Sequence, residues 1–301
     1  LLVKMRTPEK LKKGNKIGII STARKMSLKE LELAIQLLKN WGLEVILGSN
    51  LLNEDNQFSG TEMQRTADLQ HMIDDESIKA ILCARGGYGT VQIIDNINFS
   101  NFKSNPKWII GYSDVTVLHS HLNNLGIATL HATMPINFKT NTLESLDSLK
   151  KCLFDDSYIV ECNSHRFNNY GKVEGKIIGG NLSILYSLLG SNSDINTADK
   201  ILFIEDLDEY LYHIDRMMIN LKRNRKFDKL RGLIVGDMSD MNDNIIPYGK
   251  TAEEIILYHV KEYSFPICFG FSAGHIKDNR SIKFGVDSVL EINENGIVLS
   301  Q

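Results

Sequence analysis

Metal-ligand patterns are missing from this chain. Its 301 residues contain no His-Glu-x-x-His, no tight His/Cys cluster and no Cys-x-x-Cys, which argues against zinc catalysis and a structural zinc knuckle. No metal or other cofactor is expected. The four cysteines, Cys83, Cys152, Cys162 and Cys268, stand far apart, and Cys83 and Cys268 sit in apolar runs that read as buried strands. They are expected to be reduced thiols of a reducing compartment. There is little excess charge of either sign: 34 Lys+Arg face 37 Asp+Glu, a net charge of −3. That excludes the basic footprint of a nucleic-acid binder. No apolar run is long enough to span a bilayer, and no charged head, apolar run and small-residue cleavage site follow one another, so a soluble cytoplasmic protein is expected. The only tryptophans, Trp41 and Trp108, fit a core better than a platform for a nucleobase. Internal repeats and low-complexity segments are absent. The chain opens Leu1-Leu2-Val3-Lys4-Met5, and Met5 is the candidate natural start.

What is present is an alternation of short β-branched runs with segments of helical period, the pattern of βαβ units around a parallel sheet. Lys16–Ile20 reads as a first strand. Leu31, Ala34, Leu37, Leu38 and Trp41 line one face of a helix opened by Ser27 and stopped by Gly42. Strands follow at 45–47, 80–83 and 108–110, with helices over 61–74 and 90–97 between them. The first half is therefore expected to be a doubly wound, Rossmann-like sheet. Around 156–172 the text turns polar and irregular and reads as a linker. Beyond it, strands at 176–178, 201–204, 233–235 and 267–269 alternate with helices at 210–221 and 253–263, and 281–300 reads as a hairpin turning at Asn293-Glu294-Asn295-Gly296. The expected organisation is an α/β N-terminal domain over 1–155 and a smaller α/β domain over 173–301.

Ligands of open parallel sheets bind beyond the carboxyl ends of the strands, and four such places carry chemistry. Ala84-Arg85-Gly86-Gly87-Tyr88-Gly89-Thr90 is a glycine-rich turn whose N–H groups could cradle an anion or oxyanion. It does not complete Gly-x-Gly-x-x-Gly, because Gln92 stands where the third glycine belongs. In Gly111-Tyr112-Ser113-Asp114 a strand meets a sharp turn and then a helix, the requirement of a nucleophile elbow. Val115 takes the place of the last glycine of Gly-x-Ser-x-Gly, and helix capping by Ser113 or Asp114 is the plainer alternative. Glu205-Asp206-Leu207-Asp208-Glu209 follows a strand and could orient an imidazole, bind Mg²⁺ or favour the next helix N-terminus. Finally, His275 in Gly270-Phe271-Ser272-Ala273-Gly274-His275 has room around its ring. His119, His121, His131 and His213 read as structural. The order Ser113, Glu205, His275 is that of the α/β hydrolases.

Seven stretches in order resemble the LD-carboxypeptidases, the serine peptidases that include murein tetrapeptide carboxypeptidases and microcin C immunity peptidases. They are Leu11–Ile20, Ala84–Gly89, Gly111–His119, His131-Ala132-Thr133-Met134, Gly179-Gly180-Asn181-Leu182, Phe203–Asp206 and Gly270–His275. The resemblance implies Ser113 as nucleophile, His275 as base and Glu205 as the acid behind it, with Glu209 as the fallback. It also implies an oxyanion hole from the N–H of Asp114 and of Gly86 or Gly87, a cleft between two domains, and a homodimer. The sequence departs from the family at Asn15 for Asp, at Ser21-Thr22-Ala23 for Pro-Ser and at Ala132-Thr133 for Gly-Pro, which bears on pocket shape and not on the triad. Asp208–Arg216 looks more like the murein-recycling branch, which implies release of D-alanine from a muropeptide. Arg85 and Arg216 are the cations near the motifs that could meet its terminal carboxylate. The rival readings are a peptidase of aminoacyl-nucleotide conjugates and a non-catalytic nucleotide-binding module using Gly86–Gly89.

Overall fold

The computed structural model describes residues 4–301, and Leu1–Val3, ahead of the candidate start, lie outside them. The chain folds as β1 (Lys16–Ile20), α1 (Leu28–Asn40), β2 (Glu44–Leu47), α2 (Glu62–Asp74), β3 (Ile78–Cys83), α3 (Thr90–Ile93), α4 (Ser100–Ser104), β4 (Trp108–Gly111), α5 (Thr116–Asn124), β5 (Thr129–His131) and α6 (Leu143–Phe154). It continues through β6 (Ile159–Cys162), β7 (Gly171–Asn181), α7 (Leu182–Ser187), β8 (Lys200–Leu207), α8 (Leu211–Arg223), β9 (Gly232–Ser239), α9 (Ala252–Val260), β10 (Ile267–Cys268), β11 (Ile282–Phe284), β12 (Asp287–Asn293) and β13 (Gly296–Ser300).

Local signals explain the early elements. Ser27 caps α1 in a reciprocal pair with Glu30, whose carboxylate accepts from the Ser27 N–H at 2.8 Å, and Gly42 turns the chain away at φ +87°. Strands β1, β3 and β4 are covered on both faces. Ile17, Ile19, Leu82 and Ile110 enter one apolar cluster, while Ile81, Cys83 and Ile109 enter another. Period-two alternation of side chains between two buried faces turns such strands into continuous apolar runs.

The first sheet has the order β11-β5-β4-β3-β1-β2. Strands β2, β1, β3, β4 and β5 are parallel, and β11 is antiparallel at the edge. The chain reverses direction across the sheet between β1 and β3, so the crevice for ligands opens at their carboxyl ends. The second sheet, β10-β9-β8-β7-β12-β13-β6, is parallel from β10 to β7 and antiparallel beyond.

The reading of the sequence has no counterpart for β5, α6 and α7, and other elements differ from it. Residues 159–162, inside the expected linker, form β6 and pair with β13. Residues 282–284, expected in a hairpin of the second unit, pair with β5 of the first sheet. The helix expected over 90–97 stops at Ile93 and gives way to a 3₁₀ turn over Ile94–Asn96.

The two sheets meet through an aromatic core. Phe203 of β8 lies 4.9 Å from the His131 ring of β5 and 6.0 Å from Phe284 of β11. Both phenylalanines are fully buried, each worth about 1.5–3 kcal/mol of hydrophobic stabilisation. Gly180 abuts Thr116, with no space for a β-carbon, and the Asn181 N–H donates to Thr116 Oγ1 at 3.0 Å. The carboxyl end of β7 is thereby pinned against the helix that follows Ser113.

Candidate active site

From the first sheet come a serine and a glycine turn. Gly111 takes φ +157° and Ser113 takes φ +62°, a left-handed conformation costing a non-glycine residue about 1–2 kcal/mol. The corner is built tightly, since a β-carbon on Gly111 would meet Val115 at 2.8 Å. Neither Ser113 nor Asp114 caps the following helix, as no side-chain cap bond occurs at this junction. Instead the buried Asp114 carboxylate accepts from the Thr90 N–H at 2.8 Å and the Thr90 hydroxyl at 2.6 Å. Thr90 Oγ1 also lies 2.7 Å from Thr22 Oγ1. This chain locks together the loops that follow β1, β3 and β4. It brings Gly86 against the serine, where an added β-carbon would lie 3.1 Å from Ser113 Cβ and 3.3 Å from Oγ. A side chain at Gly86 would be crowded there, and with glycine the peptide groups lie beside the hydroxyl.

From the second sheet come a carboxylate and an imidazole. Glu205, at the end of β8 and fully buried, has Oε2 2.6 Å from His275 Nδ1. The approach depends on small residues: Gly274 has φ +123°, and a β-carbon there would sit 3.0 Å from Glu205 Cβ and 3.1 Å from Oε2. A β-carbon on Gly236 would strike the Ala273 carbonyl at 2.5 Å. Burial pushes the His275 pKa down, but the charge and hydrogen bond of Glu205, aided by Asp206 and Asp237, prevail and hold it above the ordinary value. Such a pair leaves Nε2 of the neutral ring as the proton acceptor, because Nδ1–H is held by the carboxylate.

The halves come together at Tyr112, whose ring lies 4.9 Å from that of His275. The histidine thus packs on the residue preceding Ser113. Glu209 is engaged elsewhere: its Oε2 is 2.6 Å from His213 Nδ1 on α8. Arg85 Nη1 donates to the Lys25 carbonyl at 3.3 Å, and the exposed Arg216 covers the Tyr212 ring of its own helix at 5.2 Å. His119 is sealed in, bonds the Gly111 carbonyl at 2.9 Å, and burial lowers its pKa to about 4. It buttresses the strand end before the serine. His131 is likewise buried, and burial holds its pKa well below the ordinary value.

Three further contributors have roles that the sequence reading does not assign, although Asp206 and Thr90 stand within stretches it singles out. Asp206 accepts from Asn181 Nδ2 at 2.8 Å and from the Ser183 N–H at 2.9 Å, holding the start of α7 to β8. Burial, and then Glu205, raises its pKa to about 7. Asp237 follows Val235-Gly236 on β9, and burial and Glu205 raise its pKa to about 6. Thr90, at the end of the glycine turn, ties that turn to Asp114. The role of each depends on a partner at least 23 positions away, the shortest such link being Asp206 to Ser183.

Residues 17–132 match the family profile of the LD-carboxypeptidase N-terminal domain, and residues 174–290 that of the LD-carboxypeptidase C-terminal domain. The chain belongs to the LD-carboxypeptidase family. A relative from Bacillus subtilis (strain 168) named "Probable murein peptide carboxypeptidase" is 34% identical over 305 residues, covering 97% of this chain and 93% of its own. The microcin C7 self-immunity protein MccF of Escherichia coli is 26% identical over 304 residues, covering 89% of this chain and 87% of its own. The crystal structure of muramoyltetrapeptide carboxypeptidase from Oxalobacter formigenes shares the fold, with a TM-score of 0.87 at 24% identity over 95% of this LD-carboxypeptidase chain and 98% of that one. Among the described residues no helix is long and apolar enough to cross a membrane.

Proposed function

We propose that this chain is a serine LD-carboxypeptidase that removes the terminal D-alanine from murein tetrapeptides during cytoplasmic peptidoglycan recycling, acting as a homodimer. The observation that carries the reading is the Glu205–His275 pair, 2.6 Å apart, packed on the residue before a serine held at φ +62°. The relative named as a murein peptide carboxypeptidase supports the substrate class. The four free cysteines, three of them buried, fit a reducing compartment. In this reading the N-terminal domain supplies the nucleophile and oxyanion hole, and the C-terminal domain supplies acid and base.

His275 Nε2 takes the Ser113 proton as Oγ attacks the carbonyl of the diamino acid. The oxyanion accepts from the N–H of Asp114 and of Gly86 or Gly87, donors fixed in place before charge develops. Glu205 keeps the imidazole in its Nδ1–H tautomer and stabilises the imidazolium. His275 then gives the proton to the departing amine of D-alanine. A water deprotonated by the same ring hydrolyses the acyl-enzyme, returning the serine. No step calls for a metal.

The relative MccF makes a peptidase of aminoacyl-nucleotide conjugates the second reading. Trp108 is not free to stack on a base, being buried with its indole N–H bonded to the Glu9 carbonyl at 3.0 Å, and the half-buried Trp41 packs edge-on against Phe154.

The test is mass spectrometry of L-Ala-γ-D-Glu-L-diamino acid-D-Ala incubated with the wild type and with Ser113→Ala. Loss of one alanine with the wild type, slowed by about 10⁴-fold or more in the variant, is the expected result. An intact peptide in both transfers the proposal to the aminoacyl-nucleotide conjugates.

A further inference from the structure

A carboxypeptidase must recognise a free carboxylate one residue beyond the scissile carbonyl, about 3.8 Å of chain away. The cation that does so has to reach the space just outside the oxyanion donors. Resting on the reading above, we propose that Arg24 is this residue and that it gives the enzyme its preference for a terminal carboxylate.

Arg24 belongs to the loop after β1, facing the glycine turn after β3, the two carboxyl ends between which the sheet order reverses. Its backbone is fixed on both sides. The Arg24 carbonyl accepts from Ser21 Oγ at 2.7 Å, Arg24 pairs with Phe58 in an antiparallel bridge, and the Lys25 N–H donates to the Gln57 carbonyl at 3.0 Å. Its side chain lies over Gly87, where a β-carbon would come within 2.6 Å of Cδ and 2.7 Å of Nε. Gly87 adjoins Gly86, which faces Ser113 Oγ. The Arg24 side chain therefore borders the glycine turn at Gly87, next along the chain to the glycine that faces the nucleophile of the proposed mechanism.

The neighbouring cations are occupied. Lys25 Nζ pairs with Glu54 at 2.5 Å, and Arg85 holds the Lys25 carbonyl, which steadies the loop carrying Arg24. Among the described residues the exposed Arg24 side chain makes neither an ion pair nor a hydrogen bond, so its planar fork is free for a bidentate carboxylate. Gly87, at φ +112°, supplies the flat surface on which the stem rests.

The experiment compares kcat/KM for the tetrapeptide with a free terminal carboxylate and for the same peptide ending in a carboxamide, using the wild type, Arg24→Ala and Arg24→Lys. The wild type is expected to favour the acid. Arg24→Ala loses about 10- to 100-fold on the acid, chiefly through KM, and changes little on the amide, so the preference collapses. Arg24→Lys recovers part of it, keeping the charge without the fork. Equal losses on both peptides, or an undiminished preference in Arg24→Ala, overturn the assignment while leaving the LD-carboxypeptidase reading intact. Hydrolysis of neither peptide by the wild type overturns both.

Discussion

Replacing Glu205 with glutamine tests the proposed role of the carboxylate, orientation of the His275 imidazole, apart from its burial. The side chain is fully enclosed and lies 2.6 Å from His275 Nδ1, so a near-isosteric amide fills the same space. Two things change. The negative charge that holds the His275 pKa above its ordinary value disappears. The amide can also offer N–H to Nδ1, which stabilises the tautomer with its proton on Nε2, where the proposed mechanism needs an acceptor. A wrong tautomer in a serine triad costs about 10⁴ in kcat, equivalent to about 5.5 kcal/mol of barrier. Stability should move the other way. Glu205 helps to raise Asp206 to about 7 and Asp237 to about 6, after burial itself, and neutralising it relieves that repulsion. Glu205→Gln is therefore expected to melt no lower than the wild type at neutral pH while losing about three to four orders of magnitude in turnover. The acidic limb of its residual pH–rate profile should also move below that of the wild type, since the base must be neutral to work and now loses its proton more easily. Steady-state rates on the tetrapeptide across pH, with melting curves on the same samples, make the test. Retention of more than about a tenth of the activity would refute the assignment of Glu205 as the orienting acid.

Away from the site, Lys107 is almost fully buried and donates to the carbonyls of Met72 and Ile73 at 2.8 Å each and to that of Asp75, closing the end of α2. Lys107→Met leaves the Met72 and Ile73 carbonyls without this donor and should cost about 2–4 kcal/mol, read as a lower urea midpoint at unchanged slope; an unaltered midpoint would mean that water replaces the ammonium. Asp206 gives a pH signature. Its folded pKa of about 7 against an ordinary 3.8 means that the folded protein keeps a proton the unfolded chain releases, so this group's contribution falls as pH rises from about 4 to about 7. Asp206→Asn should flatten that part of the melting profile, and parallel profiles for the two proteins would contradict the shift.

The regular elements near the start were legible because their signals are local. The Ser27 capping box, Gly42 and the apolar runs at 16–20, 80–83 and 108–110 depend on neighbours within a few residues. β6 and β11 were not legible. They are four- and three-residue strands, and what makes them strands is pairing with β13 and β5, more than a hundred positions away. The carbonyl that Arg85 seeks and the helix that Arg216 covers are likewise fixed by surroundings the sequence does not name.

The sequence by itself determined the class of fold and the places where chemistry could sit, because hydrophobic period, turn chemistry and the ends of parallel strands follow from covalent order. Tertiary structure alone decided that Glu205 rather than Glu209 meets His275, that Asp114 ties the glycine turn to the serine corner, and that Arg24 lies over Gly87. These choices turn on directions of side chains from three different strand ends. A hydrogen bond forms or fails within a few tenths of an ångström, a tolerance that only packing of the whole molecule can meet.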